Sequence, residues 1–290
     1  MNQRRFVDLH THSTASDGAS SPEELIGLAD EKKLAAIALT DHDTVEGLAK
    51  AAAAAKHYPD LQFVPGIEVS ARFTGGTLHI LGLGIDPQSQ AIQSLCAQMQ
   101  LSRRMRNPQI IARLQGLGMN ITMEDALAET AGDEPARPGR GEGRILGRLH
   151  IAAAMVRKGC VKSIDEAFAR YIGNERPAYV DKERLAPSEA VAAIHAGGGK
   201  AFLAHPPQLN CQNLSQFERV LRELIHQGLS GIECYHSDNT AFQTRHYLEL
   251  ARRYHLAISG GSDFHGPHKP TVQLGRPLVP LSVVEEWLSI

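Results

Sequence analysis

Histidines and carboxylates recur along this chain at spacings that suit metal coordination. His10 and His12 stand two apart in a run of strand-forming residues, where side chains alternate between faces, so both imidazoles can reach one ion. Asp17 follows shortly after. Asp263 and His265 repeat the two-residue spacing near the far end. Between these pairs lie His42, flanked by Asp41 and Asp43, an isolated Glu68, and His79, His205 and His236. Asp41 and Asp43 either orient imidazoles from behind or cap a helix beginning near Thr44. A lone His-x-His pair is more often structural than catalytic. Two such pairs, with an isolated glutamate and further histidines from separate segments, point to one metal site.

Leaving His236 aside, the set contains six histidines (His10, His12, His42, His79, His205 and His265) and three carboxylates (Asp17, Glu68 and Asp263), together carrying −3 when the imidazoles are neutral. Nine side chains exceed what one zinc needs and suit three ions. Three divalent ions with a bridging hydroxide would leave roughly +2, which a phosphate dianion would neutralise. Imidazole and carboxylate ligands without thiolate favour Mn, with Fe or Zn as alternatives, over Ca or Mg. The four cysteines form no CxxC pair and read as reduced buried thiols.

The elements that must position these residues read as an α/β fold. Strands are expected at 6–9, 36–39, 63–69, 78–83, 201–204, 231–235 and 257–260, with an edge strand at 273–279. Helices are expected from Pro22, with Ser21 as N-cap, and over 45–57, 188–195, 217–226, 242–254 and 282–287. Strands alternating with helices imply a largely parallel sheet, and most of the chemical residues follow strand ends, where a closed α/β barrel carries its active site. From 88 to 176 the pattern turns helical, predicting a substrate lid inserted into a barrel formed by 1–87 and 177–290.

The chain has 290 residues and a net charge of −2, which excludes nucleic-acid binding driven by its overall field. No signal-peptide core and no apolar run of about 18 residues is present, so a cytoplasmic protein without a membrane span is expected.

The segments HxH…D, Thr40-Asp41-His42-Asp43, Pro65-Gly66-Ile67-Glu68, His79, Ala204-His205-Pro206 and Ser262-Asp263-Phe264-His265 resemble the PHP (polymerase and histidinol phosphatase) family of metal-dependent phosphoesterases. The resemblance spans about 4–84 and 188–279 and matches all nine family ligands in order. It implies a distorted barrel of seven βα units. It also implies one ion held by His10, His12, Glu68 and Asp263, a second by Glu68, His79 and His205, and a third by Asp17, His42 and His265. Within the family the chain is similar to the bacterial branch of nucleoside 3',5'-bisphosphate phosphatases and 5'-to-3' exonucleases on short RNA. Gly147-Arg148-Leu149-His150-Ile151-Ala152 is similar to that branch's GRPHIA segment, with Leu149 in place of the usual proline.

Between 100 and 176 the chain carries 13 Lys plus Arg against 9 Asp plus Glu, net +4, leaving −6 for the remainder. Arg144 and Arg148 would share a helical face if a helix begins after Gly143, with Arg137 and Arg140 on the preceding loop. Such guanidinium groups can clamp a second phosphate. His150 joins them as a candidate substrate contact, and His236 as a proton donor or phosphate contact. The expected activity is hydrolysis of the 3'-phosphate of a nucleoside 3',5'-bisphosphate by metal-activated hydroxide, without a phosphoenzyme. The alternatives are a 5'-to-3' exonuclease on short RNA or DNA oligonucleotides, a metal-stabilised module without catalysis, and an amidohydrolase-type enzyme acting on C–N bonds.

Overall fold

The computed structural model describes residues 5–129, 146–181 and 184–288. Strand β1 (Phe6–Asp8) leads to helix α1 (Pro22–Glu31). The Ser21 hydroxyl accepts from the Glu24 N–H at 3.2 Å while the Ser21 N–H donates to Glu24 Oε2 at 2.7 Å, and Pro22 fills the first turn. The chain continues through β2 (Ala36–Leu39), α2 (Leu48–Ala55), β3 (Gln62–Ala71) and β4 (Leu78–Leu83). Helices α3 (Gln90–Gly116), α4 (Met123–Ala128), α5 (Arg148–Arg157), α6 (Ile164–Ala167) and α7 (Pro187–Ala196) precede β5 (Lys200–Leu203). Then come α8 (Leu214–His226), β6 (Gly231–Tyr235), α9 (Ala241–Arg253), β7 (Ala257–Gly260), β8 (Val279–Pro280) and α10 (Glu285–Leu288).

Among the described residues, eight strands make one sheet in the order β7-β6-β5-β4-β3-β2-β1-β8. β1 to β3 are parallel, as are β5 to β7, but β4 runs antiparallel to both its neighbours and β8 runs antiparallel to β1. The expectation of a largely parallel sheet therefore needs correction at β4. Only residues 72–77 join β3 to β4, and a parallel crossover needs a dozen or more. Because β4 is reversed, His79 reaches the same end of the barrel from the start of its strand. The edge strand expected at 273–279 is shorter and later, at Val279–Pro280.

The barrel nearly closes where the chain beyond β1 meets the chain beyond β7. Leu9 N donates to Gly260 O at 3.0 Å, Asp263 N to His10 O at 2.9 Å, and His12 N to Phe264 O at 3.0 Å. This seam sets the two ends of the chain, each with a metal-type residue pair, side by side. Gly261 makes the approach possible, because a Cβ there would lie 2.4 Å from His10 N and 2.5 Å from His10 Cβ.

Alternation along the strands creates two apolar layers. Val7, Leu9, Ala36, Ala38, Val64, Leu81, Leu83 and Phe202 pack together in the barrel interior, with the Phe202 ring 4.7 Å from that of Trp287. Ile37, Leu39, Ile67, Val69, Ile80, Leu203 and Ile232 face the surrounding helices. A third cluster forms among Ile110, Leu114, Ile151, Met155 and Ile172 in the helical segment between β4 and β5. Helix α3 belongs to both regions: Ile92, Leu95 and Met99 pack in the outer barrel layer, and Ile110 and Leu114 in the helical cluster.

Gly261→Ala should force the seam apart and cost about 1–3 kcal/mol by overpacking. The urea midpoint should fall at unchanged m-value, and an unaltered midpoint would show that the seam tolerates a methyl group.

Candidate metal centre

Glu68 on β3 is the hub. Its Oε1 lies 2.7 Å from His79 Nδ1 and 2.8 Å from His205 Nε2, and those two nitrogens are 3.1 Å apart. Its Oε2 lies 2.9 Å from His42 Nδ1, 3.2 Å from His12 Nε2 and 3.3 Å from His10 Nε2. Asp263 Oδ1 approaches His12 Nε2 at 3.1 Å and His10 Nε2 at 3.5 Å. Asp17 Oδ1 lies 3.3 Å from His265 Nε2, and its Oδ2 3.8 Å from His42 Nε2. All nine side chains singled out in the sequence thus meet at one barrel end, with ligand-type atoms grouped around Glu68 and Asp17.

The local chemistry fits divalent cations. Among the described residues, His10 Nε2, both nitrogens of His12, His42 Nδ1, Glu68 Oε2 and His205 Nδ1 are buried without a hydrogen-bond partner. Leaving that many buried polar atoms unmatched is costly in a folded protein unless a ligand supplies the contact. Burial alone would raise the Glu68 carboxyl, but His42, His79 and His10 hold it well below the usual carboxylate range. Asp17 is held down against burial by His42 and His265, and Asp263 by Lys269 and His10. Burial pushes the His79 imidazole down to about 3 and that of His265 to about 4. Burial alone would lower His10 and His12 too, but Glu233 and Glu68 outweigh it at His10 and Asp263 and Glu68 at His12, raising the first ring well above its ordinary value and the second to about 9. Metal ligation takes ionised carboxylates and neutral imidazoles, so binding at these two rings would release their protons.

Other carboxylates hold the scaffold. Asp41 accepts from Ser13 N at 2.8 Å, Ser13 Oγ at 2.7 Å and Ser16 Oγ at 2.6 Å, tying the loop after β1 to that after β2. Asp43 accepts from Ser70 N at 3.0 Å and from Arg103 Nε at 2.9 Å. Neither caps a helix, because α2 starts only at Leu48. Arg103 carries this connection from α3 to the segment bearing His42.

His236 is buried, and its Nδ1 accepts from the Asp238 N–H at 3.0 Å, so a neutral ring carries its proton on Nε2. That Nε2 lies 3.7 Å from Asp263 Oδ2 and has no hydrogen-bond partner. Burial would lower the imidazole, but Glu233 and Asp263 outweigh it and raise the ring above its ordinary value.

A cavity of about 310 Å³ opens beside the cluster, lined by Asp17, His42, His79, His265 and Lys269 and by Arg103, Arg106, Arg148 and Arg184. The Arg148 guanidinium lies over the Phe168 and Tyr179 rings, at 5.7 and 5.5 Å, and donates to Ile172 O at 3.1 Å. Burial, with Arg103 and Arg148 adding repulsion, lowers Arg106 to about 8. Arg144 lies outside the described residues, as do Arg137 and Arg140. The helix expected after Gly143 begins instead at Arg148, because Gly147 is extended and its N–H donates to His150 Nδ1 at 3.0 Å. His150 is 3% exposed and occupied in that cap, and it is absent from the cavity wall.

Sequence reasoning missed Glu233, Lys269, Arg103, Arg106 and Arg184. Lys269 Nζ lies 2.6 Å from Asp263 Oδ2, and Glu233 Oε1 lies 3.0 Å from His10 Nδ1. An acidic residue inside the apolar strand Gly231-Ile232-Glu233-Cys234-Tyr235 was a readable signal for Glu233. The arginines of α3 carried none, since their inward direction depends on how that helix docks.

The PHP domain model matches residues 8–263. The chain is 34% identical to a 3',5'-nucleoside bisphosphate phosphatase of Chromobacterium violaceum over 90% of this chain and 87% of that one. It is 33% identical to the 5'-3' exoribonuclease Rnm of Escherichia coli over 99% and 94% of the respective chains. A Bifidobacterium adolescentis structure described as a metal-dependent phosphoesterase superposes with a TM-score of 0.85 at 31% identity, covering 98% of this chain and 95% of its own. With a match across most of its length and a barrel end able to bind metal ions, this chain belongs to the PHP family and is a metal-dependent phosphoesterase.

Proposed function

We propose that the protein removes the 3'-phosphate from nucleoside 3',5'-bisphosphates. The observation that carries this reading is the single cavity in which the histidine and carboxylate cluster faces four arginines. One phosphoryl group would sit at the cluster and a second against Arg106, Arg148 and Arg184, whose guanidinium groups match phosphate oxygens bidentately. The relative named as a bisphosphate phosphatase supports the same choice.

Three ions would be held by His10, His12, Glu68 and Asp263, by Glu68, His79 and His205, and by Asp17, His42 and His265, with Mn the best match to these donors. Bound there, divalent cations make a water nucleophilic near neutral pH and balance charge on the phosphoryl oxygens. Water oxygen attacks phosphorus as the bond to the 3'-oxygen breaks. The departing oxygen takes up a proton to become a hydroxyl; His236, which lies outside the cavity wall with its Nε2 3.7 Å from Asp263 Oδ2, would supply that proton from behind the cluster. Lys269 restrains the second oxygen of Asp263.

A second reading, 5'-to-3' exonuclease action on short oligonucleotides, is favoured by a further groove of about 650 Å³. It shares Thr77, Arg184 and Gln208 with the first cavity and is bordered by Phe73 and Tyr179, whose rings offer stacking faces for bases.

Incubation of the Mn-loaded protein with adenosine 3',5'-bisphosphate should release inorganic phosphate and 5'-AMP alone. Formation of 3'-AMP, or turnover only of 5'-phosphorylated oligonucleotides, would reject the bisphosphatase reading. Reaction in ¹⁸O-labelled water should place the label in the phosphate, whereas label in the nucleoside hydroxyl would require C–O cleavage. Arg148→Ala should raise KM roughly tenfold for the bisphosphate, the loss expected for a charge-assisted hydrogen bond, and far less for a monophosphate. Equal increases for both would refute the two-phosphate clamp.

A further inference from the structure

Glu233 lies on β6 with no solvent exposure, beneath the cluster rather than in the cavity wall. Its two oxygens have different partners on different strands. Oε1 is 3.0 Å from His10 Nδ1, beyond the end of β1, and Oε2 accepts from the backbone N–H of His205, just after β5, at 2.6 Å. A bulge in the β6–β7 register falls between Glu233 and Tyr235, where strands commonly re-aim side chains.

We infer that Glu233 is a positioning residue that sets the aim of two metal ligands at once, fixing the tautomer of His10 and the backbone of His205. Ionised, Glu233 can only accept, so His10 must present its proton at Nδ1. In the neutral ring Nε2 then carries the lone pair that an ion would take, and that nitrogen faces Glu68 Oε2 at 3.3 Å and Asp263 Oδ1 at 3.5 Å. His205 adopts a φ of 25°, a conformation that side chains other than glycine rarely take. The hydrogen bond from its N–H to Glu233 holds that turn, which brings His205 Nε2 to 2.8 Å from Glu68 Oε1. One carboxylate thereby serves both sides of the Glu68 bridge. A rival use, in which His10, Glu233 and His236 bind an ion of their own, conflicts with the bonds in place. Glu233 Oε1 and His10 Nδ1, the atoms such an ion would need, are already bonded to each other at 3.0 Å.

The inference rests on the metal assignments proposed above, and the test separates the two. The first measurement uses the full-length wild-type protein, labelled with ¹⁵N-histidine and loaded with Zn²⁺, and reads long-range ¹H–¹⁵N correlations of the His10 ring, assigned with a His10→Gln variant. Nδ1 should carry the proton and Nε2 should be the zinc-bound nitrogen. Zinc on Nδ1, or a proton on Nε2, would overturn the inference without any change at Glu233. In Glu233→Gln the amide can accept from only one of the two donors. Competition with a chelator should then show Zn²⁺ bound about 10- to 100-fold more weakly, with kcat reduced and the substrate KM changed less than kcat. The metal-free variant should still melt in one cooperative transition, so that the loss of zinc affinity is read on folded protein. Unchanged zinc affinity and kcat in Glu233→Gln would reject the positioning role. Failure of the wild-type protein to bind zinc would reject the metal assignments themselves.

Discussion

Burial of ionisable groups at one end of the barrel is the constraint on which the rest of the structure depends. Glu68 is 1% exposed yet remains ionised, because burial is opposed by imidazoles converging on both its oxygens. An isolated carboxylate in such a place would take up a proton, since the desolvation of a charge costs far more than a typical hydrogen bond returns. Ligand chemistry in this site therefore follows from convergence. Each imidazole is worth little to the centre unless the others arrive at the same point.

Convergence needs a frame that does not yield, and buried carboxylates supply it in a second layer. Asp8 accepts from Ser262 N and Gly275 N, both at 2.8 Å, joining the first strand to the last part of the chain, and burial raises its carboxyl to about 6. Asp41 ties down the loop carrying Asp17, Asp43 anchors β3 and α3, and Glu233 links β1 to β5. Interleaving these anchors with the apolar interior of the barrel leaves little room for the ligands to drift. A packed protein interior transmits displacement instead of absorbing it.

The helical segment between β4 and β5 brings the opposite electrostatic character. Arg103 and Arg106 of α3, Arg148 at the start of α5 and Arg184 face a wall of histidines and carboxylates across one cavity. Arg103 is neutralised in part by Asp43, so it also anchors α3 to the loop that bears His42. Substrate charge is thus met from two sides, by the candidate metal cluster and by the guanidinium groups.

All nine cluster residues were legible in the sequence because their spacing follows local geometry. A two-residue step on a strand sets side chains on one face, and strand ends in a barrel share one rim. Helix α1 was legible for the same reason, since its capping residues act only within their own turn. The direction of β4 was obscured because length and apolar pattern are the same for either orientation, and the short link at 72–77 is its only local clue. Glu233, Lys269 and the arginines of α3 belong to a different class. Their partners lie on other strands or helices, up to 223 positions away for Glu233 and His10, and pairing at that distance is decided by packing. The sequence by itself determined which residues could bind metal and the kind of fold that would gather them. Only the tertiary structure decided which groups hold those residues in place and which cations face them, because hydrogen bonds and ion pairs between distant segments form only once the barrel has closed.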